Sequence, residues 1–251
     1  MSGANTDAQT MDAGLPTLPH ELAQRAIYRR GRLGVYDGLA PRRTALLVID
    51  MQHAWLAEGA PFETPATRRI VPAINRLAGA LRAAGGLVIW FQHTAAPKGD
   101  PLYWSGYFDY HVSEQFRAET VACLLPGTPT HEIHASLDVR PADLVRRKYR
   151  FSPFLRNPDD PLPLLEARGV ESVIVVGTAT NVGVESTVRD AMMLDFRTFM
   201  PHDAVVAPYY DGHLAAMRSV VQIFADVRPV DELLEAIAAG AAAPAEAPSK
   251  A

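Results

Sequence analysis

Three places in this chain hold residues whose types could do chemistry together: Asp50, Lys148 and the stretch from Gly177 to Gly183. Asp50 closes the apolar run TALLVID at residues 44–50. A carboxylate there is costly to desolvate unless it is paired, and a basic partner would make it a proton carrier. The other use of an aspartate at this point is as a helix N-cap for the segment that follows. Lys148 lies in RRKYRFSPF, which reads either as a solvated basic patch with Arg146, Arg147 and Arg150 or as a segment turned inward. Phe151, Pro153 and Phe154 favour the inward course, on which a lysine needs an acidic partner. GTATNVGVESTVRDA, residues 177–191, bridges an apolar run to a helix start with small and polar residues. Such a turn presents backbone N–H groups to an oxyanion; a strand–turn–helix with two glycines is also ordinary punctuation.

The elements around these residues follow from periodicity. Residues 44–50, 87–91 (LVIWF) and 171–176 (ESVIVV) are short apolar runs without alternation, the mark of parallel strands buried on both faces. Further strands are expected from residue 143 onward, at 198–200 and at 225–227. Helical spacing marks 67–84, stopped by Gly85-Gly86, and helices are expected at 161–168, 184–194 and 213–224. Strands alternating with helices imply one domain, a three-layer α/β/α sandwich with a mostly parallel sheet. Ligands of such sheets bind beyond the carboxyl ends of the strands. That rule selects Asp50, His93, Lys148 and the 177–183 turn. The domain is expected to span 19–237, between a flexible N-terminal segment, 1–18, and a flexible Ala/Pro-rich tail, 238–251.

Together, TALLVIDMQ, KYRFSPF and GTATNVGVESTVRDA resemble, in order and spacing, the isochorismatase-like (cysteine hydrolase) superfamily, from about residue 43 to residue 237. The third motif is closest to the Thr-Asn-Val-Cys-Val-Glu-Ser-Thr of its ureido and carbamoyl amidases. In those enzymes an Asp–Lys–Cys triad works on an amide or ureido carbonyl: the thiol attacks, and the aspartate takes its proton and returns it to the leaving nitrogen. The resemblance puts Asp50 and Lys148 in that triad and Gly183 at the nucleophile position. It also implies a cis peptide at Ala179–Thr180, shaping an oxyanion hole with Gly183, and a homo-oligomer, dimer or tetramer. Candidates for the substrate pocket are Gln52, His93, Tyr103, Trp104, Tyr149, Phe154 and Asn181.

Glycine cannot attack a carbonyl, so three functions stay open. The chain is an amidohydrolase-type scaffold for small C–N substrates whose cysteine is replaced; or it resembles the isochorismatases proper, which carry glycine at this site and protonate a vinyl ether with the aspartate; or it is a non-catalytic binding module. Against the second stands the turn itself, which reads Thr178-Ala179-Thr180 where that branch has Tyr-Ala-His.

Composition narrows the partners. A net charge of -4, with no basic run, argues against nucleic acid. No apolar stretch reaches the roughly 20 residues of a membrane helix, and the N-terminus lacks the pattern of a signal peptide. The single cysteine, Cys123, forms no internal disulfide, so the expected location is the cytoplasm. Cys123 lies outside the motifs and reads as a buried structural thiol. His131 and His134, in HEIH, have the spacing of metal ligands but no third partner, so neither a metal nor a cofactor is expected. The aromatic segment 102–111 (LYWSGYFDYH) suits either core or interface packing, or a lid over the Asp–Lys site.

Overall fold

The computed structural model describes residues 17–243. In chain order its helices are α1 (His20–Arg30), α2 (His53–Leu56), α3 (Thr67–Ala83), α4 (Ser105–Phe108), α5 (Glu114–Leu124), α6 (Leu162–Ala167), α7 (Glu185–Met193), α8 (Tyr210–Ser219) and α9 (Val230–Ala242). The strands are β1 (Thr44–Ile49), β2 (Leu87–His93), β3 (Leu144–Lys148), β4 (Ser172–Thr178), β5 (Arg197–Phe199) and β6 (Val205–Val206).

All strand pairs are parallel, in the order β3-β2-β1-β4-β5, with β6 beside the last residues of β4. Alternate residues of the continuous apolar strands feed two cores, because side chains of a strand point to opposite faces. Leu46 and Val48 of β1, Val88 and Trp90 of β2, and Ile174 and Val176 of β4 pack on α3 and α9. Ala45, Leu47, Ile49, Ile89, Phe91, Val173 and Val175 face α1, α6, α7 and α8. The molecule is thus a three-layer α/β/α sandwich. From β1 the chain winds outward through β2 to β3, then returns to the other side of β1 for β4 and β5. The order reverses between β1 and β4, and a crevice opens at such a point. Asp50 and the 177–183 turn both stand there.

Four expectations need correction. Residues 225–227 form no strand: Asp226 makes a single bridge to Phe199, and its carboxylate instead takes the Val35 and Tyr36 N–H groups at 2.8 and 2.9 Å. The Asp226 backbone still pairs with β5, its N–H donating to Thr198 O at 2.9 Å and its carbonyl accepting from Met200 N–H at 3.0 Å, but the pairing stops at that one bridge. Six elements, α1, α2, α4, α5, α9 and β6, are additional; α1 docks Leu22 and Ala26 on the second core. The helix expected at 213–224 starts earlier, at Tyr210, and its end is a π-helical turn, Val220–Phe224. Finally, α9 runs through residues 238–242, placed above in a flexible tail. Residues 1–16 and 244–251, the rest of the two segments expected to be flexible, lie outside the described residues.

A close contact explains that last difference. A Cβ on Gly240 would lie 2.1 Å from the Leu39 carbonyl oxygen and 2.7 Å from Pro41 Cδ, so the end of α9 is seated directly on the chain leading into β1. Alanine is the better helix former, so in a free tail Gly240→Ala would stabilise by up to about 1 kcal/mol. In the docked helix it overpacks, and a loss of about 1–3 kcal/mol is expected. Urea unfolding decides the sign; an unchanged or raised midpoint would mean that the end of α9 is not docked.

Candidate functional site

Asp50 follows β1 directly, with φ 56°, a left-handed conformation that aspartate tolerates better than most residues. Its N–H still donates to Phe91 O at 3.1 Å, which holds the turning point against β2. Aspartate as a helix cap is not what is built: α2 starts at His53, with Gln52 before it. Instead the carboxylate Oδ2 lies 2.9 Å from Lys148 Nζ. Lys148 arrives from the end of β3, on the far side of β2 from β1, and strands in a sheet are about 4.8 Å apart. Only a long side chain can cross the end of β2 to reach Asp50. Lys148 is 0% exposed, whereas Arg147 beside it is exposed, so the basic-patch alternative fails for Lys148 alone.

Burial dominates the electrostatics of the pair. It pushes the Asp50 carboxyl up to about 6, against the opposing pull of the Lys148 charge and of the His93 backbone N–H. The same burial pulls Lys148 below its ordinary value, opposed by Asp50. Asp50 Oδ1 is buried and has no hydrogen-bond partner among the described residues.

The turn after β4 brings Gly183 to this carboxylate. Its cis bond is Thr178–Ala179, one residue before the expected Ala179–Thr180. Thr178 is the last residue paired with β6, opposite Val206, and the chain leaves the sheet directly after it. Residues 180–184 then form a π-helical turn leading into α7. Val182 and Val184 give their N–H groups to Ala179 O, at 3.0 and 3.2 Å. Thr180 is buried and shares a 2.9 Å hydrogen bond with His213 Nδ1. Burial pulls His213 down to about 4, so that ring is neutral near pH 7.

The two glycines of the turn have different reasons. Gly177 has φ 115°, and a Cβ there would lie 2.1 Å from Ile49 O, so the backbone itself excludes a side chain. Gly183 lies outside the left-handed region. A Cβ built on it lies 3.0 Å from Asp50 Oδ2 and 3.0 Å from Ile49 Cγ2. A side chain at 183 is compatible with the backbone and would stand against the Asp50 carboxylate, which need yield only slightly.

Of the pocket candidates, His93 and Trp104 gather near the pair. His93 ends β2, and its Nδ1 lies 3.3 Å from Lys148 Nζ. Phe151 stacks on the His93 ring, at 6.2 Å between centroids, and Trp104 meets Phe151 edge-on at 4.7 Å. Of the aromatic segment, Tyr103, Trp104 and Tyr107 pack against the buried cluster of Phe108, Cys123 and Leu124, and Trp104 and Tyr107 also meet Phe151. Tyr103 turns aside and donates to Asp109 Oδ1 at 2.7 Å. Gln52 is fully buried with its amide engaged: Nε2 donates to the His93 and His131 carbonyls at 3.1 and 2.7 Å, and Oε1 accepts the His93 N–H at 2.7 Å. Phe154 is not brought to the pair; it packs against Phe196 in the second core. Asn181 is exposed beside Gly212, and Tyr149 is half-buried, next to Lys148 in the chain. Cys123 is buried in a satellite cluster with Phe108 and Leu124, and burial raises its thiol. His131 and His134 diverge: His131 bonds Thr94 Oγ1 at 2.9 Å, while His134 packs its ring on His53. Among the described residues no three His, Cys, Asp or Glu side chains converge as for a metal.

Sequence reasoning missed Trp55, whose ring meets His93 edge-on at 6.4 Å, and His213, which holds Thr180. Trp55 follows Asp50 by five residues and was open to inspection. His213 and Thr180 lie 33 residues apart, on elements whose contact no local pattern announces.

Comparison with known proteins gives the family and the fold. The isochorismatase domain matches residues 44–232. The ureidoacrylate amidohydrolase RutB of Klebsiella pneumoniae is 33% identical over 215 residues, covering 80% of this chain and 90% of that protein. A cysteine hydrolase from Pseudomonas syringae superposes with a TM-score of 0.73 at 25% identity, covering 82% of this chain and 98% of the other. The N-carbamoylsarcosine amidase of Thermoplasma acidophilum shares the fold, with a TM-score of 0.59 at 21% identity over 75% of this chain and 97% of its own. No helix among the described residues is long and apolar enough to cross a membrane.

The ion pair makes a direct prediction. In Lys148→Met the buried carboxylate loses the charge that favours its ionised form. The Asp50 titration, followed by carboxyl ¹³C NMR, is expected to rise above about 6. A titration left where it was would dissolve the proposed coupling.

Proposed function

Since the chain belongs to the isochorismatase family of hydrolases, we propose that its site is an amidohydrolase site for the C–N bond of a small ureido, carbamoyl or amide substrate, with Asp50 as proton carrier, Lys148 as its partner and Gly183 at the position of the attacking atom. One observation carries this reading: a Cβ on Gly183 falls 3.0 Å from the same Asp50 oxygen that Lys148 holds at 2.9 Å. A thiol built on that Cβ would stand beside a carboxylate able to take its proton. The thiolate would then attack the carbonyl, Asp50 would return the proton to the leaving nitrogen, and water would hydrolyse the resulting thioester to the acid and the free thiol. Ala179, Thr180 and Gly183 are the proposed surroundings of the oxyanion. The similarity to the ureidoacrylate amidohydrolase supports an acyclic ureido substrate. The reading includes a cytoplasmic homo-oligomer, dimer or tetramer: the one cysteine is a free thiol, and Tyr28, Tyr110 and Met193 stand exposed.

A second reading has an observation of its own. Burial raises Asp50 to about 6, and its Oδ1 has no partner among the described residues, so the carboxyl can hold a transferable proton. That suits protonation of a vinyl ether, followed by addition of water, which needs no side chain at 183.

The two readings differ in the sign of their pH dependence. As a base toward a thiol, Asp50 must be ionised, so Gly183→Cys is expected to release ammonia from ureidoacrylate or a simple N-carbamoyl compound, with kcat rising as pH climbs through about 6. The parent chain is expected to be slower by at least about 10²-fold, the order of effect of losing a covalent step. As an acid, Asp50 must be protonated; the parent chain would then release pyruvate from an isochorismate-type vinyl ether, with kcat falling as pH rises through about 6. Asp50→Ala abolishes either activity. A folded Gly183→Cys variant that releases no ammonia from any ureido, carbamoyl or amide compound would remove the first reading.

A further inference from the structure

The Lys148 ammonium has three N–H donors, and three acceptors meet it. They are Asp50 Oδ2 at 2.9 Å, His93 Nδ1 at 3.3 Å and the Arg150 carbonyl at 3.3 Å. Lys148 is 0% exposed, so an acceptor that is lost cannot be replaced by bulk water, and a buried charged donor left unpaired is strongly disfavoured. Facing an ammonium, His93 Nδ1 must present its lone pair, which puts the ring proton on Nε2.

The ring is held to that role from both sides. The two hydrogen bonds between the Gln52 amide and the His93 backbone fix the main chain, and Gln52 is itself fully buried. Phe151 stacks on the ring, and Trp55 meets its edge. The titratable groups acting on His93 are Lys148, His131 and Arg150; on Asp50 it is Lys148. All three that act on His93 oppose a positive charge on the ring, as does its burial.

We propose that His93 is a positioning residue: its Nδ1 is the fixed third acceptor that anchors the Lys148 ammonium on Asp50 Oδ2. The lysine, with its donors spent, is neither proton donor nor nucleophile in the resting site. This assignment depends on the contacts of the pair and holds for either bond the enzyme cleaves.

Two substitutions separate the acceptor from the ring. His93→Phe keeps an aromatic ring against Phe151 but removes the acceptor. His93→Asn gives up the ring but puts its amide oxygen near the place of Nδ1. The readout is the Asp50 carboxyl titration by ¹³C NMR, assigned by the signal lost in Asp50→Asn, and it needs no turnover. In His93→Phe the ammonium is less well held, the ionised form of Asp50 is less favoured, and the midpoint is expected to rise by about one pH unit, tenfold in proton affinity. His93→Asn is expected to stay within a few tenths of a unit of the parent. If His93→Phe titrates with the parent, or if His93→Asn moves as far as His93→Phe, the ring only packs and the proposal is wrong. Should His93→Phe not fold, ¹⁵N NMR of the unsubstituted protein decides: an Nε2–H tautomer at neutral pH is expected, and a proton on Nδ1 overturns the proposal.

Discussion

A buried ammonium set against a buried carboxylate is the constraint around which the rest of this molecule is arranged. Neither charge is tolerated alone in a water-poor interior, and pairing offsets the desolvation only when the remaining donors are also met. Each requirement is answered by an element of the fold. The reversal of strand order between β1 and β4 sets Asp50 at the switch point of the sheet, where ligands of such folds bind. The in-register end of β3, with His93 opposite Lys148, sets the lysine level with the end of β2. The His93 ring and the Arg150 carbonyl absorb the two donors that Asp50 does not take. Gln52 and its bonds to the His93 and His131 carbonyls then fasten that end of β2 to the segment before β3.

The turn after β4 shows how differently one residue type can be used within seven positions. At Gly177 the close Ile49 carbonyl and a positive φ leave no room for a Cβ, so that glycine belongs to the folding of the turn. At Gly183 neither reason applies: the backbone is ordinary, and what a side chain would meet first is the Asp50 carboxylate and one methyl group of Ile49. The absence of a side chain at 183 is therefore a property of the site and not a demand of the chain. That distinction separates a chemical reading of the glycine from a purely structural one.

Much of this was legible in the linear sequence, for identifiable reasons. The unbroken apolar runs of β1, β2 and β4 could be buried only on both faces, which led to a parallel sheet with two helical layers. Asp50 was recognisable because it ends such a strand, and Lys148 because Phe151, Pro153 and Phe154 after it marked a segment turned inward. The failures come from tertiary contacts. The apolar look of residues 225–227 suggested a strand, yet the Asp226 carboxylate is taken by the backbone of Val35 and Tyr36, far away in the chain. The Ala-rich stretch at 238–242 had the composition of a tail, yet Gly240 fits closely against Leu39. Phe154 carried the same apolar signal as Phe151, but only Phe151 faces His93; Phe154 faces Phe196. Adjacent aromatic residues of one loop cannot be sorted between core and site without the fold.

The energetics of the pair also bear on whether the site is a relic. Ion pairs buried this completely are a weak source of stability, and well-packed apolar replacements of similar volume are often neutral or stabilising by about 1–4 kcal/mol. A protein that needed this crevice only for packing would be served at least as well by apolar side chains at positions 50 and 148. Here the pair is accompanied by a backbone turn at Asp50 with φ 56°, by a buried oxygen without a partner, and by a histidine whose buried ring faces the ammonium. The turn and the oxygen without a partner among the described residues cost stability, and neither improves the packing of either core. The local cost is thus concentrated on the ion pair and on the turn at Asp50, and not on either core.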